Sequence, residues 1–298
     1  MSRENKGNNS IDNTINVLNL DYGTVLPIND LMFKRIFWNK EHPDILISFI
    51  NAVLKREDPI TSVELVSTEL DDKFIGEHGI RLDLVAKTSS GEILNVEMQN
   101  KNSDDMFKRS LYYWSKLYSA QLRKGQKYSD LCPVIAINIL DFNLFKDNRC
   151  HRSIVLKDEE TNDVVERMLE IHFVELRKRQ YMDQNDDLWV WAEFLKSPHS
   201  SNLNDIPEEL KSVSSAKEIF TKALADPAQQ NIIRMIEKTE MDNLSSITKA
   251  RENGLAEGEK KGEHKKAIET AKNFLKLGLS VEQVAQGTGL SIEEIKKL

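Results

Sequence analysis

Two kinds of apolar periodicity alternate along residues 26–198. Apolar residues return at helical spacing in several segments, namely two helices within 29–58, one over 106–123, and one that contains Trp189, Trp191 and Phe194. Short runs rich in β-branched residues predict strands at 63–70, 80–86, 93–98 and 134–140, with weaker candidates at 153–156 and 171–176. This order of elements predicts an α/β domain over residues 26–198.

The segments on either side of this domain have different patterns. Residues 1–25 are polar and Asn-rich without a sustained period, and they predict a flexible N-terminal leader. Residues 199–298 open with a Ser-, Asn- and Pro-rich loop and then predict helices only.

The helical C-terminal region contains a glycine repeat and a small terminal motif. Glycines recur every four residues in a charged segment, at Gly254, Gly258 and Gly262, which predicts a flexible or fraying helix. Ser280 and Ser291 each precede a short helical pattern. They predict a terminal helical hairpin that packs on itself or on another subunit, with a DNA-contacting element as the alternative.

The composition excludes several classes of protein. No apolar run approaches the roughly 20 residues that cross a bilayer, and the first residues lack the apolar segment of a signal peptide, so we expect a cytoplasmic protein without a membrane partner. The net charge of −7 argues against a protein that coats nucleic acid along its whole surface. Residues 101–128, however, hold seven lysines and arginines against two acids, so a local basic surface could meet DNA.

The most informative stretch is the pair of strands around residues 81–101. A Ser89-Ser90-Gly91 loop predicts a hairpin with glycine in the left-handed conformation. If Thr88 pairs with Glu92, then Asp83 lies opposite Glu97, with β-carbons about 5 Å apart. Alternation also places Gln99 on the same face as Glu97, and Arg81 on the same face as Asp83.

Two carboxylates side by side repel each other and favour a bound cation. Mg²⁺ usually takes one or two protein carboxylates and leaves its other positions to water and phosphate. Asp83 and Glu97 are therefore candidate metal ligands. The alternative is a solvated face of the sheet on which both acids are paired with Arg81 or Lys101, or a register that has slipped.

Several segments together resemble a known group of nucleases. These are NDLMFKRIF, RLDLVAK, NVEMQ, RSLYYWSKLYSAQLRKGQKYSDL, PVIAINILDFNLF and EIHFVELRK, in this order between residues 27 and 178. In sequence, order and spacing they resemble the PD-(D/E)xK nuclease superfamily, and within it the Rpn family of recombination-promoting nucleases and transposases.

The resemblance implies a restriction-endonuclease-like mixed sheet flanked by helices. It implies that Asp83 and Glu97 bind Mg²⁺, with Mn²⁺ as a substitute, and that Gln99 is the third catalytic residue, in the position usually held by lysine. The function implied is a metal-dependent DNA endonuclease that hydrolyses phosphodiester bonds and is associated with transposase-like recombination or mobile elements. The alternative is a nuclease-fold protein that is impaired in catalysis by Gln99 and acts as a nucleic-acid-binding or scaffold protein.

Further candidates surround this cluster. The tentative DNA-binding residues are Lys101, which follows the motif strand, and three residues on one face of the next helix, Arg109, Tyr113 and Lys116. The apolar face expected to enter the core of the protein is formed by Phe107, Leu111, Trp114 and Tyr118. Cleavage of both DNA strands needs two active sites or two events, so a homodimer through the core or the C-terminal helices is a further expectation.

Overall fold

A mixed β-sheet forms the centre of the fold. The computed structural model describes residues 25–66, 83–102 and 105–298. Within these residues the sheet has six strands in the order β1-β2-β3-β4-β6-β5. The strands are β1 (Val63–Val66), β2 (Leu84–Thr88), β3 (Ile93–Gln99), β4 (Val134–Leu140), β5 (His151–Val155) and β6 (Leu169–Glu175).

The pairing of the strands explains the sequence pattern. The strands β1, β2 and β3 are antiparallel neighbours, β3, β4 and β6 run parallel, and β5 is antiparallel to β6. Every residue of β4 and of β6 is buried. Continuous burial is typical of parallel strands that are covered on both faces, and it agrees with their unbroken apolar runs.

Helices cover both faces of the sheet. In this domain they are α1 (Asp30–Phe37), α2 (Pro43–Leu54), α3 (Met106–Ser119), α4 (Asp187–Lys196) and α5 (Lys211–Ala225). Helix α3 packs on one face, where Leu117 meets Val85 and Val134. The opposite face is also buried, so the other helices, which pack on one another around Phe37 and Trp191, form the second layer.

The first turn of α1 is capped by a polar side chain. The side-chain oxygen of Asn29 accepts a hydrogen bond from the backbone N–H of Leu31, so Asn29 is the N-cap of α1. Asp30 instead forms an ion pair with Lys34, one turn along the helix. Pro43 occupies the first turn of α2, where its missing N–H has no consequence.

The face of α3 that packs on the sheet agrees only in part with the predicted one. Phe107 and Leu111 are 43% and 40% exposed, so the prediction that they enter the core is wrong. Trp114 and Tyr118 are partly buried against the core, as predicted. The buried side chains of α3 are those of Met106, Ser110 and Leu117. A polar contact contributes to this orientation, because the Ser110 hydroxyl donates a hydrogen bond to the Asn138 side-chain oxygen of β4 at 2.8 Å.

The region after residue 229 forms a second compact unit. Its elements are the long helix α6 (Pro227–Lys276), which begins at the end of the first unit, and the short helices α7 (Val281–Thr288) and α8 (Ile292–Ile295). Ser280 and Ser291 cap α7 and α8, as predicted. The hairpin packs on the end of α6 through Ala271, Val284, Leu290 and Ile295.

The remaining predictions about organisation have different outcomes. The segment with Gly254, Gly258 and Gly262 is part of the continuous helix α6. The first compact unit extends to Gln229, and within it α5 packs on α1, α2 and α4. The domain boundary at 198/199 stays a prediction from the sequence. None of the helices in the described part of the chain is long and apolar enough to cross a membrane. The predicted leader, apart from Val25, lies outside the described residues.

Candidate active site

The hairpin of β2 and β3 has the register that the sequence predicts. Leu84 pairs with Val96 and Lys87 with Ile93, so the next position would place Asp83 opposite Glu97. The loop closes through a 3.0 Å hydrogen bond from the Thr88 N–H to the Glu92 carbonyl oxygen. Gly91 has a φ of 93°, in the left-handed region that glycine reaches without strain.

Two hydrogen bonds join the ends of the strands and bring the two acids together. The backbone N–H of Asp83 donates to Glu97 Oε1 at 3.3 Å, and the backbone N–H of Met98 donates to Asp83 Oδ2 at 2.9 Å. Each carboxylate is thus held by the backbone of the opposite strand. The arrangement fixes the positions of both side chains before any ligand binds.

Burial separates this pair from an ordinary solvated sheet face. Only 2% of Glu97 is exposed, which contradicts the solvated alternative for this residue. Burial, and then the charge of Asp83, raise the pKa of Glu97 to about 8. Burial also raises the pKa of Asp83, although the Met98 N–H and the Lys34 ammonium oppose the rise.

Two cations approach the pair from different helices. Lys34 of α1 has its Nζ 3.5 Å from Asp83 Oδ1. Arg109 of α3 lowers the pKa of Glu97 by its charge, although burial and Asp83 outweigh it. The Nε of Arg109 is buried and has no hydrogen-bond partner within the described ranges, and its guanidinium lies 5.4 Å from the centre of the Tyr113 ring.

Amide side chains complete the surroundings of Glu97. With its amide nitrogen turned toward Glu97, Asn95 can donate to Glu97 Oε1 at 3.2 Å and to the Leu84 carbonyl oxygen at 3.2 Å. Asn138 of β4 pairs with Glu97 across the parallel strands, and its Nδ2 donates to the His172 carbonyl oxygen at 3.2 Å. Glu97 therefore accepts hydrogen bonds from neutral groups.

The other predicted site residues differ in burial and in their contacts with Asp83 and Glu97. Gln99 is half-buried at the end of β3, on the same face as Glu97. Lys101 is exposed, and no contact joins it to Asp83 or Glu97 in the described parts of the chain. Lys116 is also exposed, with its Nζ 5.4 Å from the centre of the Tyr112 ring. Tyr113 is partly buried and packs against the cluster of Val85, Leu117 and Val134, so it does not share the exposed surface of Lys116. Arg81 lies outside the described residues.

Sequence reasoning missed Lys34 and the two asparagines. The pairing of Lys34 with Asp30 at i and i+4 was visible, but a helical pattern does not show which strand end the helix meets. Asn95 could have been found from the same alternation that selected Gln99, because both lie two residues from Glu97 on one strand face.

The two carboxylates are suited to a divalent cation. Within the described residues, no group of three or more His, Cys, Asp and Glu side chains is arranged to hold a metal. Mg²⁺ usually takes one or two protein carboxylates, so Asp83 and Glu97 fit its needs. The raised pKa of Glu97 agrees with this fit, because Glu97 forms no ion pair with the described residues and a divalent cation would supply an opposing charge.

The comparison with protein families agrees with this geometry. A family model described as PD-(D/E)XK nuclease family transposase matches residues 27–250, which is more than half of the chain. No curated protein and no solved structure matches the chain significantly. The mixed six-stranded sheet with flanking helices is consistent with the PD-(D/E)XK fold, as the sequence resemblance implied. The chain belongs to the PD-(D/E)XK nuclease family transposases.

Proposed function

We propose that this protein is a Mg²⁺-dependent DNA endonuclease that acts in transposase-like recombination. The observation that supports this most directly is Glu97, a buried carboxylate joined to Asp83 and without an ion pair among the described residues. Membership of the nuclease family supports the reaction class. Mn²⁺ is the expected substitute for Mg²⁺, since both are bound by oxygen ligands.

In this proposal Asp83 and Glu97 hold the metal ion. When bound, the ion supplies Lewis-acid chemistry, which polarises a phosphoryl oxygen and lowers the pKa of a bound water. The two backbone hydrogen bonds orient the carboxylates, so little rearrangement is needed for binding. Gln99, on the same face, donates or accepts hydrogen bonds but carries no charge.

The reaction consumes one water molecule for each phosphodiester that is cut. The water oxygen bonds to phosphorus, and the bond from phosphorus to one sugar oxygen breaks with its electron pair going to that oxygen. The sugar oxygen gains a proton and the attacking water loses one to solvent. The products are a phosphate monoester and a free hydroxyl.

Helix α3 is the proposed contact for the DNA backbone. Arg109 lies next to Glu97 with its Nε unpaired within the described ranges, so it is the proposed ligand of the scissile phosphate. Lys108 and Lys116 are exposed on the same helix as the exposed Phe107 and Leu111. Basic and aromatic side chains together are typical of nucleic-acid-binding surfaces.

The test is DNA cleavage by matched carboxylate variants. Wild-type protein is incubated with supercoiled duplex DNA and Mg²⁺ or Mn²⁺, beside Asp83→Ala and the control Glu64→Gln, which removes an exposed carboxylate of the same sheet. We expect Asp83→Ala to lower the rate roughly 1,000-fold or more, and the control to cut as wild type does. Intact DNA with the wild type, or equal cleavage by Asp83→Ala, would contradict the proposal.

Gln99 favours a second candidate function. A nuclease fold without the usual lysine can bind nucleic acid or act as a scaffold without turnover. That function predicts salt-dependent duplex binding together with no metal-dependent cleavage. Cytoplasmic location and a homodimer stay predictions from the sequence.

A further inference from the structure

A lysine from a distant part of the chain lies beside the carboxylate pair. Lys34 Nζ is 2.8 Å from Asp30 Oδ1 and 3.5 Å from Asp83 Oδ1. Its side chain is 27% exposed, so it is partly shielded and still open to a ligand. Among the described residues, Lys34 is the cation that forms an ion pair with either Asp83 or Glu97.

The motif strand itself lacks a positive charge at its third position. Gln99 is a neutral amide, whereas phosphodiester hydrolysis builds up negative charge on phosphoryl oxygens. A fixed cation close to those oxygens stabilises the transition state more than an amide does. A cation on another element of the fold can supply the charge that Gln99 does not carry.

Other cations near this end of the sheet are occupied or distant. Lys196 and Arg177 pair with Asp141 at 2.7 and 3.5 Å. Lys101 is exposed and has no contact with the carboxylate pair in the described parts of the chain. Arg109 lies on the Glu97 side, where it is proposed to bind phosphate. Lys34 alone is placed on the Asp83 side within the described residues.

The backbone that carries Lys34 is held rigidly. Met32, Phe33, Ile36 and Phe37 of α1 are all buried, so the helix cannot rotate without exposing them. The segment before α1 is joined to the end of the motif strand, because Asn100 Nδ2 donates to the Ile28 carbonyl oxygen at 3.0 Å. A side chain on such a support is suited to precise positioning.

We propose that Lys34 supplies from α1 the positive charge that the third motif position lacks, and that its ammonium orients the attacking water. This rests on the hydrolysis proposed above. An ammonium has three N–H donors, and Asp30 and Asp83 accept two of them. The third donates to the water oxygen. Lys34 stays protonated throughout, so the proton lost by the water goes to solvent.

The first measurement is the single-turnover cleavage rate of Lys34→Gln with Mn²⁺. The control is Arg35→Gln, which removes an exposed cation from the next position of the same helix. We expect Lys34→Gln to cut roughly 100-fold more slowly than wild type. Arg35→Gln should stay within about threefold of wild type.

The second measurement separates this role from a structural one. Calorimetry of Mn²⁺ binding without DNA should give an affinity for Lys34→Gln equal to or tighter than that of wild type, because a competing cation has left Asp83. Duplex binding in Ca²⁺ should change by less than about threefold. A loss of metal affinity together with activity would overturn the proposal, since it would show that Lys34 only maintains the site.

A third measurement restores the ammonium chemically. Lys34→Cys treated with 2-bromoethylamine regains a side chain of nearly the same length that ends in an ammonium. We expect cleavage to recover, whereas wild type treated in the same way controls for modification of Cys132 and Cys150. If wild type cuts and Lys34→Gln cuts equally fast, only the role of Lys34 is overturned. If wild type does not cut, the proposed hydrolysis fails, and Lys34 fails with it.

Discussion

Two glutamates of the sheet are equally buried but differ in their partners. Glu97 and Glu170 are each 2% exposed. Glu170 meets Arg56 at 3.4 Å, Arg167 at 3.3 Å and His172 at 3.2 Å. Glu97 instead accepts from a backbone N–H and an amide, next to another carboxylate.

The difference in partners reverses the effect of burial on the pKa. Burial alone would raise the pKa of Glu170. The hydrogen bond from His172, the charge of Arg56 and the hydrogen bond from Arg167 outweigh burial, so the pKa is lowered. Burial and the charge of Asp83 raise the pKa of Glu97 to about 8. Burial of an acid therefore does not by itself indicate a functional site. Glu97 differs from Glu170 in that it forms no ion pair with the residues that the structure describes.

If compensated acids stabilise the fold, then removing a compensating cation has a large effect. Lys178 Nζ donates to Glu175 Oε2 and to the Phe145 carbonyl oxygen, each at 2.8 Å, and both charged side chains are buried. We expect Lys178→Met to lower the free energy of unfolding by about 3–5 kcal/mol, because Glu175 is left without its cation. Urea denaturation followed by circular dichroism measures this.

The matched control for Lys178 is an exposed ion pair. Lys222 lies 2.6 Å from Glu218 on the surface of α5, where water screens both charges. Lys222→Met should leave the denaturation midpoint unchanged. A loss below about 1 kcal/mol for Lys178→Met would mean that compensation in this sheet does not support its stability.

The sharpest test of the comparison is the same substitution at both glutamates. In metal-free protein at pH 8, Glu97→Gln should stabilise the fold by roughly 1–3 kcal/mol, because it removes a carboxylate whose ionised form is disfavoured. Glu170→Gln should destabilise it by a similar amount, since it removes the negative charge that faces Arg56, Arg167 and His172. Denaturation in the presence of a chelator gives both values.

The pH dependence of the Glu97→Gln effect follows from the raised pKa. In the unfolded chain the carboxyl ionises near 4.5, whereas in the folded protein it stays protonated up to about pH 8. The folding penalty of the charged form is therefore absent below pH 4.5 and complete above pH 8. The stabilising effect of Glu97→Gln should shrink from pH 8 to pH 5; a destabilising effect at pH 8 would contradict the comparison.

The part of this site that the sequence could predict is the part made by neighbouring residues. The Ser89-Ser90-Gly91 loop and the alternation around it determine the hairpin register, and so the meeting of Asp83 and Glu97. The pairing of Asp83 with Glu97 can be predicted without knowing any other helix or strand. Even so, the partners of Glu97 across β4, and therefore its burial, lay beyond this local reasoning.

The parts that failed depend on tertiary packing. Helix α3 has two stripes that could face the sheet, and the pattern favoured Phe107 and Leu111 because they are apolar. The sheet instead meets Ser110, which has Asn138 as a partner, while Arg109 lies close to Glu97. A polar residue on the buried face can be recognised only when its partner is known.

The smallest predicted effect concerns His151, whose ring stacks on His172, the histidine that contacts Glu170. Burial, and then the charges of His172 and Lys55, lower the pKa of His151 to about 4 from its ordinary 6.5. Its Nε2 lies 3.0 Å from His172 Nδ1. Between pH 6.5 and 4 the unfolded chain binds a proton that the folded protein does not, so stability falls with falling pH.

As the pH falls, His151 lowers the stability of the fold, whereas protonation of Glu97 raises it. The two effects must therefore be measured separately. In a Glu97→Gln background, we expect stability to fall between pH 7.5 and 5.0, with roughly 1–2 kcal/mol of the loss due to His151. Adding His151→Gln, which keeps a hydrogen-bonding nitrogen without titrating, should remove that share. Urea denaturation at the two pH values measures it. If the loss of stability between pH 7.5 and 5.0 is the same with and without His151, then protonation of this histidine does not destabilise the fold. The loss is then due to carboxylates such as Glu170, because a lowered pKa also makes stability fall as the pH falls.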